Sequence, residues 1–132
     1  MSKLTQEMKD MIAAQQCFHA TVSKDGVPNN APKRSTRVLD DEKLVFSEGT
    51  GGTTLRNIYD GSLVSVAVVD RETLDGYRFL GKPEVLIQGP IYDSSADMSV
   101  RAGMPKPKAV ILLHIVEIHS LKPGPMAGKK IG

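Results

Sequence analysis

Six short extended runs, most of them closely spaced by short turns, decide what this 132-residue chain can become. Residues 17–23 read as a strand and end at Lys24-Asp25-Gly26. Asp-Gly between extended segments marks a hairpin, because glycine accepts positive φ cheaply. The return strand runs from Val27 towards Leu39 and carries Pro28 and Pro32. Each proline lacks a ladder donor, so this strand starts on an edge or in a bulge. Residues 40–43 turn the chain into a third strand, 44–47. Residues 63–69 are nearly continuous and β-branched, as in a buried strand. Residues 77–88 form a longer strand interrupted by Gly81 and Pro83, and 108–119 form the last strong one. Parallel pairing needs a long crossover between partners. These connections instead argue a mainly β fold, a six-stranded antiparallel barrel with peripheral helices.

Helical signals are few. Leu4, Met8, Met11 and Ile12 recur at three- and four-residue spacings within residues 3–15, with Ser2 as a cap. Residues 53–60 hold two helical turns, with Thr53 as N-cap and Gly61 as stop. Residues 93–104 are helical or irregular, and the tail from Lys122 is loop-like. Residues 1–132 form a single domain, which at this size buries roughly two-thirds of its unfolded surface.

Composition removes several function classes. A net charge of +2 does not indicate a basic nucleic-acid surface, and the absence of Trp disfavours stacking of bases on aromatic platforms. Cys17 stands alone, so neither an internal disulfide nor a cysteine-based zinc cage can form. The apolar run 109–118 is broken by His114 and Glu117 and is too short to span a bilayer. Without an export signal in its first residues, the chain is expected in the cytoplasm.

The chemistry concentrates in two places. Gly49, Gly51 and Gly52 follow a strand and precede a helix start. Successive backbone amides there can form an anion nest, with the Thr53 and Thr54 hydroxyls beside it and a phosphate as the natural ligand; a flexible surface loop with a capping threonine is the alternative, which the loop alone favours. The loop has neither the Gly-Lys-Ser/Thr of a Walker motif nor the G-x-G-x-x-G dinucleotide pattern. The run Lys33-Arg34-Ser35-Thr36-Arg37 puts three cations and two hydroxyls on one strand. Lys33, Ser35 and Arg37 then share one face. If this strand pairs with residues 44–48, the cations lie near the glycine loop. On the residues alone, a phosphorylated ligand and a solvated, charge-protected edge are evenly matched.

Other signals read as structural. His114 and His119 face opposite ways on a strand and cannot share an ion locally, and His19 has no metal partner nearby in sequence. Cys17 is an inert buried thiol. Ser94, Ser95, Asp97 and Ser99 are capping or loop polarity. Lys106, Lys108, Lys122, Lys129 and Lys130 are solvated charge or close over an anionic cofactor. Met98, Met104 and Met126 are packing residues.

Several runs together carry a family resemblance. Residues 32–41, then Leu44-Val45-Phe46-Ser47, then Thr54-Leu55-Arg56-Asn57-Ile58 resemble the pyridoxamine 5'-phosphate oxidase-like FMN-binding split barrels. Residues 76–84 and the ending Pro123-Gly124-Pro125-Met126-Ala127-Gly128 are similar to the family's next strand and to its small members. No one motif is diagnostic; their order and spacing are. The resemblance implies a six-stranded split β-barrel homodimer with FMN in clefts between subunits. It implies that Lys33, Arg34, Ser35 and Thr36 run along the flavin ring and ribityl chain, and that Ser47 and Glu48 lie near them. Gly52, Thr53, Thr54 and the cations grip the phosphate, Asn57 lies close to the cofactor, and Arg78 approaches from the other subunit. The implied activity is that of an FMN-dependent oxidoreductase transferring hydride or electrons to a small substrate. A non-catalytic FMN store or sensor, or a relative binding F420 or haem, is the alternative. The chain departs from many relatives in carrying Thr53-Thr54 where they carry Lys-Thr. It also lacks the longer oxidase's C-terminal substrate contacts, so it resembles a small member rather than the true oxidase.

Overall fold

The computed structural model describes residues 2–132. Helix α1 (Gln6–Ala14) leads into strands β1 (Cys17–Val22), β2 (Pro28–Pro32), β3 (Arg37–Asp40) and β4 (Lys43–Glu48). Helix α2 (Thr53–Tyr59), β5 (Val64–Val69), β6 (Gly76–Leu86), α3 (Pro90–Arg101) and β7 (Ala109–Ser120) follow. All strand pairs are antiparallel, in the order β2-β1-β5-β6-β7-β4-β3. The fold is therefore mainly β with helices at the periphery, but the sheet has seven strands rather than the six expected. It is also not closed: β2 and β3 are its two edges.

The seventh strand comes from a break in the expected return strand. Residues 33–36 form a turn between β2 and β3, with the Thr36 amide donating to the Lys33 carbonyl at 3.2 Å. Lys33, Arg34, Ser35 and Thr36 thus do not alternate across a strand, and only Arg37 lies in one. This short connection spans at most about 18 Å. The sheet must curl until its edges approach, leaving a seam without ladder hydrogen bonds. His19 on β1 and Phe46 on β4, far apart in sheet order, accordingly meet across the interior with ring centroids 4.2 Å apart.

The alternation of β1 turns Cys17, His19 and Thr21 inward and leaves Phe18, Ala20 and Val22 outside. Leu44, Phe46, Val64, Val66, Val68, Phe79, Ile111, Leu113 and Ile118 fill the interior. α1 closes one end with Leu4, Met8 and Ile12. Its N-cap is Thr5, not Ser2. The Thr5 hydroxyl accepts from the Met8 amide, and the Ser2 hydroxyl instead donates to the Val116 carbonyl at 2.9 Å. α3 covers a second apolar cluster on the outer side, with Ile91 and Tyr92 against Val45, Val110 and Leu112. Pro83 lies beyond Gly81, where β5 has ended and one side of β6 is free, so its missing amide costs little. No helix among the described residues is long and apolar enough to cross a membrane.

Candidate functional site

The site grows from the turn that bridges the seam. The Lys33 amide donates to the Cys17 carbonyl of β1 at 3.2 Å. The Thr36 hydroxyl donates to the Lys33 carbonyl at 2.7 Å and lies 2.8 Å from His19 Nε2. Because that hydroxyl has given its hydrogen to the carbonyl, Nε2 is the donor to it. His19 Nδ1 is then a bare acceptor, buried and unpartnered. Burial, and then the nearby Lys33 charge, push the His19 pKa down to about 3, so the ring is neutral.

On the other side, the Lys33 ammonium lies 2.8 Å from Glu48 Oε2 at the end of β4. Glu48 is only 2% exposed. The contact is ionic without hydrogen-bond alignment, which leaves Oε2 with no hydrogen-bonded partner. The Ser47 amide donates to Ser35 Oγ at 2.8 Å. The turn is thus fastened to β1 by two hydrogen bonds and to β4 by one hydrogen bond and one ion pair. Arg34 projects into solvent beside it.

Glu48 leads directly into the glycine loop. Gly51 has φ +75°, a left-handed conformation that glycine adopts without strain. A Cβ at Gly51 would lie 2.8 Å from Lys108 Cδ, so the lysine stem crosses the loop. At Gly49 and Gly52 an added Cβ would meet nothing within 4 Å, so the backbone there is open to a ligand. Gly52, not Thr53, is the N-cap of α2, and no side chain caps that end. Thr53 is exposed, and its Oγ1 accepts from Arg56 Nη2 at 3.4 Å.

The remaining expected site residues divide. Thr54 and Asn57 are buried and turn towards the sheet. Thr54 Oγ1 accepts from Asn29 Nδ2 at 3.1 Å, and Asn57 Nδ2 donates to Thr21 Oγ1 at 3.0 Å. Their side chains dock α2 onto β1 and β2. Arg37 Nη2 donates to Ser95 Oγ of α3 at 3.0 Å. Arg78 lies on the outer face of β6, donating through Nε to His119 Nδ1 at 3.1 Å and reaching the Gly128 carbonyl at 3.5 Å. The structure therefore brings Lys33, Arg34, Ser35, Thr36, Ser47 and Glu48 together at the seam and the loop from Gly49 to Thr53 next to them. It keeps Arg78 apart.

Lys108 is the contributor that sequence reasoning placed only in a general basic segment. Its signal is the pairing of β4 with β7. Glu48 faces Ala109, and the Lys108 amide donates to the Glu48 carbonyl at 2.9 Å, so residue 108 arrives beside the glycine loop. A cleft of about 250 Å³ adjoins the turn, lined by Lys33, Arg34 and Thr36 and by Ala13, Ala14 and Gln15 at the end of α1. At the glycine loop itself lie the open backbone of Gly49 and Gly52, the Thr53 hydroxyl with the Arg56 guanidinium beside it, and the Lys108 stem. Among the described residues no cluster of histidine, cysteine and carboxylate side chains could hold a metal ion.

Comparison with known proteins follows the same lines. The sequence profile described as pyridoxamine 5'-phosphate oxidase matches residues 4–122. An uncharacterized protein of Methanocaldococcus jannaschii is 37% identical over 133 residues, covering 98% of this chain and 88% of the relative. The crystal structure of tagged HupZ from Group A Streptococcus is 40% identical, covers 98% of this chain and 99% of that one, and superposes with a TM-score of 0.88. At 18% identity, an FMN-binding protein from Syntrophomonas wolfei shares the fold, with a TM-score of 0.68 over 86% of this chain and 82% of its own.

Proposed function

Since the chain belongs to the pyridoxamine 5'-phosphate oxidase family, we propose that it is an FMN-binding oxidoreductase that passes hydride or electrons to a small substrate. The observation that carries this reading is the open glycine loop with the Lys108 stem across it, adjoining the cationic turn at the seam. The residues fit the cofactor's phosphate. Gly49 and Gly52 leave backbone open, Thr53 offers a hydroxyl, and Lys108 takes the place of the lysine absent from position 53. The likeness in fold to a protein that binds FMN supports the same choice of cofactor.

FMN, when bound, supplies the redox chemistry. The chain's own part is to bind, orient and tune. Arg34 brings positive charge to the seam, where it favours an anionic ligand. Glu48 holds the Lys33 ammonium against β4, so this cation is fixed before a ligand arrives. His19 is buried and neutral, and the Cys17 thiol is pushed up to about 11 by burial. Neither serves as an acid, base or nucleophile at neutral pH, which suits chemistry carried by the flavin itself.

The functional unit in this reading is a homodimer working in the cytoplasm. Phe18 is 44% exposed on the outer sheet face, in register through Ala67 with Arg78. Arg78 of the partner subunit then reaches the cofactor that the first subunit's loop holds. The test is the absorbance of purified protein and its titration with FMN, followed by mixing with NAD(P)H. Saturable binding and flavin reduction support the reading. Protein that FMN cannot saturate sinks it, and bound flavin that no reductant reduces leaves a binding protein rather than an enzyme.

A further inference from the structure

We propose that His19 is a positioning residue. Through Thr36 it holds the turn at residues 33–36 in the arrangement that sets Lys33 against Glu48 and presents Arg34 at the surface to an anionic ligand. The inference rests on the FMN reading for the identity of that ligand, but its geometry stands on the chain alone.

The imidazole is fully buried inside the curled sheet, edge-on to Phe46. A phenylalanine would fill such a place without burying polar atoms. The histidine instead buries Nδ1 with no partner, a penalty that packing alone does not explain. What the ring supplies is the Nε2 donor to Thr36 Oγ1 at 2.8 Å, across the seam where no ladder exists. The Thr36 hydroxyl passes this restraint to the Lys33 carbonyl at 2.7 Å. The Lys33 side chain completes the series with the buried Glu48 carboxylate. One line of contacts thus runs from the β1 interior, through the turn, to the strand end that opens the glycine loop. The His19 ring hydrogen-bonds to a turn side chain from the interior, and the Ser47 amide of β4 bonds to another, Ser35 Oγ.

Two variants separate a donor from a space-filler. His19→Gln keeps an amide donor near the Nε2 position, and His19→Phe keeps the ring without it. A third, Thr36→Val, removes the hydroxyl from a half-buried site and leaves His19 in place. Two readouts are taken. FMN affinity is measured by quenching of flavin fluorescence. Acylation of the Lys33 amine in ligand-free protein is followed by mass spectrometry. His19→Phe and Thr36→Val are expected to weaken FMN binding roughly tenfold, the scale of one lost hydrogen bond, and to raise Lys33 labelling several-fold. The double variant is expected to be no worse than either single one, and His19→Gln to stay within about threefold of the parent. If His19→Phe does not fold, Thr36→Val and its labelling decide. Parent-level labelling in Thr36→Val, or a His19→Gln variant as impaired as His19→Phe, overturns the proposal. A parent protein that binds no FMN defeats the cofactor reading alone, because Lys33 labelling still reports whether His19 holds the turn.

Discussion

His19 carries a stability signature that follows from its burial. Its folded pKa, near 3, lies below the value of about 6.5 that a histidine has in an unfolded chain. The unfolded state therefore binds the extra proton first, and the histidine's contribution to stability is present above pH 6.5 and lost as pH falls below it. Between pH 6.5 and pH 5 the expected loss is roughly 2 kcal/mol. Asp40 and Asp41 also have lowered pKa values, from hydrogen bonds to Glu42 and Lys9 respectively, but they act at lower pH. Denaturant unfolding at pH 7 and pH 5 tests this. His19→Phe is expected to remove most of the difference, and an unchanged slope contradicts it. Nothing at position 19 distinguishes this histidine from a surface one in sequence. Its role depends on a threonine 17 residues away and on the curl of the sheet.

Among the elements, β6 and β7 show how closely backbone can approach. The register shifts between Leu80 and Gly81, and a Cβ at Gly81 would lie 2.5 Å from Leu113 Cγ. Leu113 is fully buried and cannot swing aside. Gly81→Ala is expected to cost about 1–3 kcal/mol, as overpacking does, read as a fall of several degrees in thermal midpoint. A variant as stable as the parent contradicts the packing described. Gly81 was legible as an interruption of a strand, and the hairpin at Asp25-Gly26, the glycine stop after α2 and the late strand were legible for similar local reasons. The break at residues 33–36 was not. Lys33-Arg34-Ser35-Thr36 contains neither glycine nor proline, and bonds from Cys17, His19, Ser47 and Glu48 impose its turn. Thr54 and Asn57 have the residue types of a ligand shell, and only the packing of α2 reveals that their side chains bond to the sheet. Lys108, distant in sequence, reached the loop through strand pairing that no local pattern encodes.

At the scale of the whole molecule, the curled sheet leaves two unlike surfaces. The seam and the glycine loop offer charge, and the outer face of β1 and β5 offers Phe18, Ala20 and Ala67 with Arg78 at its margin. In the dimer proposed here the second surface of one copy covers the cofactor held by the first surface of the other. Light scattering after size exclusion is expected to give twice the 14.3 kDa chain mass. A monomer with full FMN affinity contradicts that arrangement. The most direct test of the account compares FMN with riboflavin, which differ by the phosphate alone, on the parent protein and on Lys108→Ala. Charge-assisted hydrogen bonds of about 1.5–3 kcal/mol predict that FMN binds at least tenfold more tightly and that the variant loses that preference while its riboflavin affinity stays unchanged. Equal affinity of the parent for both ligands would show that the glycine loop does not receive a phosphate.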